Sequence, residues 1–286
     1  MPETVPPGPA LVEPGERIGL IAGNGRFPII FAQNAKRLGY SVSAVAHIGE
    51  TAAELEEHVE RIHWIKIGQF NKLIRVLKED GVRQAVMLGG IKKTHVFTTV
   101  LPDFRALSVA SRLRQLKDDA ILREVAAELE SEGIHIREST FGLHGILVEE
   151  GPMTRRSPSP KEWEDLRYGW EVAREIGRLD IGQCVIVKDR VLVAVEAVEG
   201  TDEAIRRGGA LAGDATVVVK RSKPQQDLRF DLPAVGPATI ETMVAVKASA
   251  LAVEVGRSVM LDREAMLANA ERAGITIVGL PSDREP

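Results

Sequence analysis

The sequence predicts an α/β protein: an N-terminal parallel sheet with flanking helices, joined by a linker to a second, α+β domain. Three observations carry this. From Arg17 to Gly90, apolar runs of strand length alternate with runs of helical period. Near mid-chain, "EEGPMTRRSPSPKEWED" breaks that order with proline, serine and charge. A chain of 286 residues also suits two modest domains better than one small core. The expected division is a disordered tail over residues 1–16, a first domain over 17–148 with Rossmann-like order, a linker over 149–160 and a second domain over 161–286.

Each element has a local reason. "RIGLIA" (17–22) is an apolar run of strand length. "FPIIFAQNAKRLGY" (27–40) places Ile29, Ile30, Ala32 and Gln33 in helical order, with Pro28 suited to a first turn. "SVSAVAH" (41–47) predicts a second strand and "TAAELEEHVER" a short acidic helix. "IHWIKIG" (62–68) alternates as a strand does, and "FNKLIRVLKEDG" (70–81) is an amphipathic helix stopped by Gly81. "RQAVMLGG" (83–90) is a strand ending in two glycines. Helices over 104–116 and 120–132 and a strand near 134–138 follow.

The second half opens with a helix over 164–177. Strands "QCVIVKD" and "RVLVAVEAVEG" flank a tight turn near Asp189 and Arg190. A helix near 202–209, with Thr201 or Asp202 as its N-cap, precedes a strand at 215–220. Helix 237–247, short strands near 250–261, helix 263–273 and strand "ITIVGL" complete the chain.

Composition excludes several classes. Apolar residues make 44% and charged residues 27%, and a net charge of -4 gives no concentrated basic face for nucleic acid. The single Cys184, inside the apolar run "QCVIV", excludes a disulfide framework and reads as a small buried hydrophobe. No apolar run approaches the roughly 20 residues that span a bilayer, and the N-terminus lacks signal-peptide regions. A cytoplasmic protein is expected. The six histidines lie in separate elements without a zinc spacing, and no G-x-S-x-G elbow is present.

Several stretches could carry chemistry. "GLIAGNGRFP" is a glycine-rich turn between strand and helix, where Gly23, Asn24 and Gly25 could contact phosphate or sugar. Pro28 stands where a dinucleotide fingerprint needs its third glycine. "LGG" (88–90) ends a parallel strand, where open α/β sheets place ligands, although close backbone packing explains it equally well. Glu196 interrupts an apolar run, and a buried carboxylate needs a partner or a metal.

"KPQQDLRFDLPAVG" (223–236) alternates Asp227, Arg229 and Asp231 with apolar residues between two prolines. If extended, the two aspartates stand roughly 13 Å apart, too far to share one ion. Either the segment bends or the acids have separate roles.

In this order and over most of the chain, "GLIAGNGRFP", "KDDAILR", "GRLDIGQ", "AVEAVEGTD" and "FDLPAVG" resemble the UDP-2,3-diacylglucosamine pyrophosphatases of the LpxI type. The resemblance implies a two-domain hydrolase of lipid A biosynthesis, its second domain catalytic, with lipid bound between the domains. It would convert UDP-2,3-diacylglucosamine to 2,3-diacylglucosamine 1-phosphate (lipid X) and UMP, with Mg2+ or Mn2+. The essential aspartate of "FDLP" carries over to Asp231, as catalytic residue and metal ligand, with Asp227, Asp202 and Glu196 as further candidate ligands. Substrate contacts carry over to Gly23, Asn24, Gly25, Pro28, Gly89, Gln183, Thr201, Lys220 and Lys223. A homodimer and peripheral contact with the inner membrane are expected. Two other readings compete: a nucleotide-sugar or NAD-dependent oxidoreductase, favoured only by the glycine turn, and a non-catalytic nucleotide- or lipid-binding protein.

Overall fold

The computed structural model describes residues 16–91, 102–112, 118–141, 143, 145–230 and 232–282. The chain forms two compact units. The described part of Met1–Leu143, with Arg229 and Phe230, makes the first, and the rest of the described chain makes the second.

The first unit contains a five-stranded parallel sheet of β1 (Arg17–Ala22), β2 (Ser41–His47), β3 (Arg61–Ile65), β4 (Gln84–Leu88) and β5 (His135–Ile136), ordered β3-β2-β1-β4-β5. The strands are apolar on both faces because helices cover both, as parallel crossovers require. Helix Phe27–Arg37 carries Pro28 in its first turn, where the missing N–H costs nothing. The acidic stretch after β2 forms a 3-10 helix, Ala53–His58, anchored by fully buried Leu55. The strand order reverses between β1 and β4. Their carboxyl ends therefore flank the topological switch point, the usual ligand position in open α/β sheets.

The opposite end of this sheet is locked by one carboxylate. Asp80 accepts hydrogen bonds from the Ser43 hydroxyl (2.5 Å), His63 Nε2 (2.8 Å) and an Arg61 guanidinium N–H (2.5 Å). Burial alone would raise the Asp80 carboxyl, but these donors outweigh it and bring it down to about 2.

The second unit contains a six-stranded mixed sheet of β6 (Gly151–Pro152), β7 (Cys184–Lys188), β8 (Val191–Val195), β9 (Val217–Lys220), β11 (Ala250–Glu254) and β13 (Thr276–Leu280). Their order is β6-β13-β11-β9-β7-β8, with β9, β11 and β13 parallel and antiparallel pairs toward both edges. A separate parallel pair joins β10 (Ala234–Val235) to β12 (Val259–Met260). Alternation along the strands splits the core between two faces. Val185, Val187, Val217 and Val219 pack with Leu166 and Trp170 of helix Pro160–Arg178. Cys184, Ile186 and Val218 pack on the other face with Ile205, Ile240 and Met243. Cys184 is fully buried, as its apolar run predicts, and burial pushes its thiol up.

Residues 149–160, expected as a linker, are hydrogen-bonded into the second unit. Gly151 and Pro152 pair with β13, and Arg156 reaches the Ser249 and Gly274 carbonyls. The following helix starts four residues before the expected 164, at Pro160, because Ser159 and Glu162 form a capping box over its first turn. Among the described residues no helix is long and apolar enough to cross a membrane.

Candidate active site

In the first unit, the glycine-rich turn after β1 meets the end of β4. The Gly23 amide donates to the Leu88 carbonyl (2.8 Å) and the Asn24 amide to the Gly90 carbonyl (2.7 Å). Gly89 has a φ of 84°, and a Cβ there would lie 2.4 Å from the Asn24 carbonyl oxygen. Only glycine fits that position without moving one strand end from the other. Gly25 and Pro28 follow at the entry to the helix; Pro28 is buried and has no N–H to offer an anion. The Asn24 side chain donates to Glu50 (2.9 Å), a buried carboxylate just past β2. A negative charge beside the turn disfavours direct phosphate seating and favours ligand hydroxyl or N–H groups.

In the second unit, four of the expected residues come together from separate stretches. Glu196, just beyond β8, is 7% exposed. It accepts a hydrogen bond from the Thr201 hydroxyl (2.8 Å) and another from the Gln183 backbone amide (3.2 Å). Lys220, at the end of β9 and 6% exposed, donates to the Thr201 hydroxyl oxygen (3.0 Å) and to the Ala234 carbonyl (2.8 Å). Gly182 allows this approach: a Cβ there would lie 1.9 Å from the Glu196 carbonyl oxygen. The side-chain oxygen of Gln183 is buried without a protein partner among the described residues.

The helix after Glu196 corrects the expected cap. Thr201 and Asp202 are its first helical residues, and Gly200, at φ 85°, is the N-cap, with no side-chain cap bond. The Thr201 hydroxyl is committed to Glu196 and Lys220 instead.

Both halves of the chain match one family. The LpxI N-terminal domain profile covers residues 17–146 and the LpxI C-terminal domain profile covers 149–278. The chain belongs to the LpxI family. A curated relative, the UDP-2,3-diacylglucosamine pyrophosphatase LpxI of Caulobacter vibrioides, is 32% identical over 283 residues, spanning 94% of this chain and 99% of its own. Likeness to solved structures is slight and carries no argument. A CobK precorrin-6A reductase gives TM-score 0.30 at 14% identity over 95% of this chain and 90% of its own. The biotin carboxylase domain of Hydrogenobacter thermophilus 2-oxoglutarate carboxylase gives 0.26 at 13% identity, over 61% of this chain and 35% of that one.

Within this LpxI-family chain, residues 223–230 form no strand: they turn at Pro224–Gln225 and again over 228–230, and only Ala234–Val235 of the segment pair, as β10. Arg229 lies beside Glu130 (3.3 Å) and over the Phe230 ring (4.9 Å), and Phe230 packs against the core of the first unit. Asp227 is half-buried. Asp231 lies outside the described residues, as do Lys117 and the side chains of Asp118 and Asp119 in the "KDDAILR" motif. Lys223 pairs with Asp180 (2.7 Å), at the start of the loop that ends at Gln183.

The expected ligand of a magnesium or manganese ion, Asp231, lies outside the described residues. Among the described residues no three His, Cys, Asp or Glu side chains gather around one point. The two Glu196 oxygens already accept protein hydrogens, and Asp202 stands in the first turn of a helix.

Sequence reasoning missed Glu50 and the Ala234 carbonyl. Glu50 had a signal, an acid just past the second strand of a dinucleotide-type unit, where such folds hold a ribose hydroxyl. The Ala234 carbonyl had none, because backbone groups carry no sequence mark. Trp170 of helix Pro160–Arg178 is core: it is fully buried with Arg221 stacked 4.7 Å over its ring.

Proposed function

We propose that the chain hydrolyses the diphosphate of UDP-2,3-diacylglucosamine to 2,3-diacylglucosamine 1-phosphate and UMP in lipid A biosynthesis. The observation that carries this reading is the match of both LpxI domains along the chain, together with the near full-length similarity to a protein named for that activity. Family membership makes the chain a hydrolase of a diphosphate bond.

Hydrolysis adds water across the P–O–P bridge. One phosphorus gains the water oxygen, the other keeps the bridging oxygen, and the water protons pass to the products or to a base. Charge grows on the phosphoryl oxygens as the bridge breaks. A buried, oriented ammonium such as Lys220 counters that charge better than a surface lysine, because little solvent must reorganise. The Thr201 hydroxyl and the Gln183 backbone amide lie in the same network and offer orienting contacts. Both Glu196 oxygens are held by protein hydrogen bonds, and the remaining task is to activate the water. That task falls in this reading to Asp231. The glycine turn and Asn24, beside Glu50, suit a neutral ligand group with N–H or O–H donors.

A divalent cation belongs to the reading; when bound it would neutralise diphosphate charge, with Asp231 as its ligand. The chain is read as cytoplasmic, meeting its lipid substrate at the inner membrane, and as a homodimer. The test is incubation with UDP-2,3-diacylglucosamine and magnesium, with and without EDTA. UMP release that stops on chelation supports both substrate and metal. UMP release unaffected by EDTA removes the cation, and tight binding without release makes the chain a binding protein.

A further inference from the structure

The donor and acceptor accounting around Thr201 leaves one arrangement. A hydroxyl has one proton and can donate once. The Lys220 ammonium can only donate, so at 3.0 Å the Thr201 oxygen must accept from it. The single hydroxyl proton then points at Glu196, whose carboxylate can only accept, at 2.8 Å. The second Glu196 oxygen takes the Gln183 amide at 3.2 Å, which fixes the carboxylate plane. Two of the three Lys220 N–H donors are used, by Thr201 and by the Ala234 carbonyl at 2.8 Å, and the third finds no partner among the described residues.

We propose that Glu196 is a positioning residue for the reaction: it orients the Thr201 hydroxyl, and through it the Lys220 ammonium, toward the diphosphate. The proposal rests on the function argued above, in which Lys220 meets the phosphoryl charge. It assigns Glu196 a role other than metal ligand and explains why a carboxylate is held 7% exposed at the exit of an apolar strand. The attraction crosses one hydroxyl instead of a direct ion pair, which leaves part of the ammonium's field for the substrate.

A glutamine at position 196 has one carbonyl oxygen, so it cannot accept from both Thr201 and the Gln183 amide. If its NH2 faces Thr201, the hydroxyl must accept there and turn its proton toward Lys220. The chain is unchanged in length, and only the polarity of the relay is broken. Thr201→Val removes the relay with nearly the same volume, and Thr201→Ser keeps it.

The test compares Glu196→Gln, Thr201→Val, Thr201→Ser and the Glu196→Gln/Thr201→Val pair in the full chain. It follows UMP release and, separately, the side-chain ammonium signals of 15N-lysine-labelled protein. Expected are a roughly 30-fold fall in kcat for Glu196→Gln and for Thr201→Val, with KM within about threefold. Thr201→Ser should recover most of the rate lost in Thr201→Val, and the double variant should be no worse than either single, the mark of one unit. A slowly exchanging ammonium signal, assigned by its loss in Lys220→Met, should vanish in Glu196→Gln and Thr201→Val and persist in Thr201→Ser. Wild-type kcat in Glu196→Gln, additive losses in the double variant, or an unchanged ammonium signal would overturn the proposal. If Glu196→Gln fails to fold, Thr201→Val against Thr201→Ser decides alone. If wild type releases no UMP while the ammonium signal follows the expected pattern, the functional reading fails and the relay stands.

Discussion

The Thr201 hydroxyl donates to Glu196 at 2.8 Å and accepts from Lys220 at 3.0 Å, so one side chain joins a buried acid to a buried base. Burying a charge is costly unless it is paired, and here both charges are satisfied through a shared neutral group. The arrangement costs stability less than an unpaired lysine would and keeps the ammonium oriented.

Lys220→Met should therefore lower both activity and stability. Loss of one charged contact to a transition state costs about 100-fold in rate. Removing one partner of a buried charge pair leaves the Glu196 carboxylate uncompensated, which costs about 3–5 kcal/mol. Turnover, measured where the variant stays folded, should fall about 100-fold, with a clear drop in thermal midpoint. Full activity in this variant would remove Lys220 from the site.

Gly182→Ala tests the packing beneath the network. The new Cβ would meet the Glu196 carbonyl oxygen at 1.9 Å, and both backbones are pinned, Glu196 to Cys184 (2.9 Å) and Gln183 to Arg221 (2.9 Å). Overpacking of this kind costs about 2–3 kcal/mol, so the urea midpoint should drop clearly and turnover with it. An unchanged midpoint would show that the loop can yield.

The alternation of apolar and helical runs made β1 to β4 and their helices legible, since each strand needed only a local period to be recognised. The network around Glu196 was legible only in part. Gln183, Thr201 and Lys220 came from the family resemblance, but their meeting depends on β7 and β9 pairing, which no local pattern encodes. Thr201 reads as a helix cap because threonine before a helix usually is one. It is free for another task because Gly200 takes the positive φ at the N-cap. The segment around Arg229 was the hardest to read, because period-two alternation between prolines mimics a strand. There it reflects separate anchors: Arg229 beside Glu130, and Phe230 in the first unit's core. The capping box at Ser159 was visible in "SPKE" but hidden by the surrounding prolines.

Asp80 predicts an acid-sensitive step. Its carboxyl sits at about 2 in the folded chain, below the model-peptide value of about 3.8. A depressed acid stabilises the fold above its unfolded value, and the contribution is lost as pH falls from about 4 toward 2. The loss is about 2 kcal/mol. Denaturant unfolding between pH 5 and pH 2 should show this slope, and Asp80→Asn should be less stable at pH 7 with a flatter slope. An identical slope in the variant would place the acid sensitivity elsewhere.

The most direct measurement compares wild type with Asp231→Asn on UDP-2,3-diacylglucosamine and magnesium, quantifying UMP and sugar 1-phosphate together. The account predicts equimolar products from wild type and a loss of at least about 100-fold in Asp231→Asn, with substrate binding retained. No UMP from wild type, or near wild-type turnover in Asp231→Asn, would contradict it.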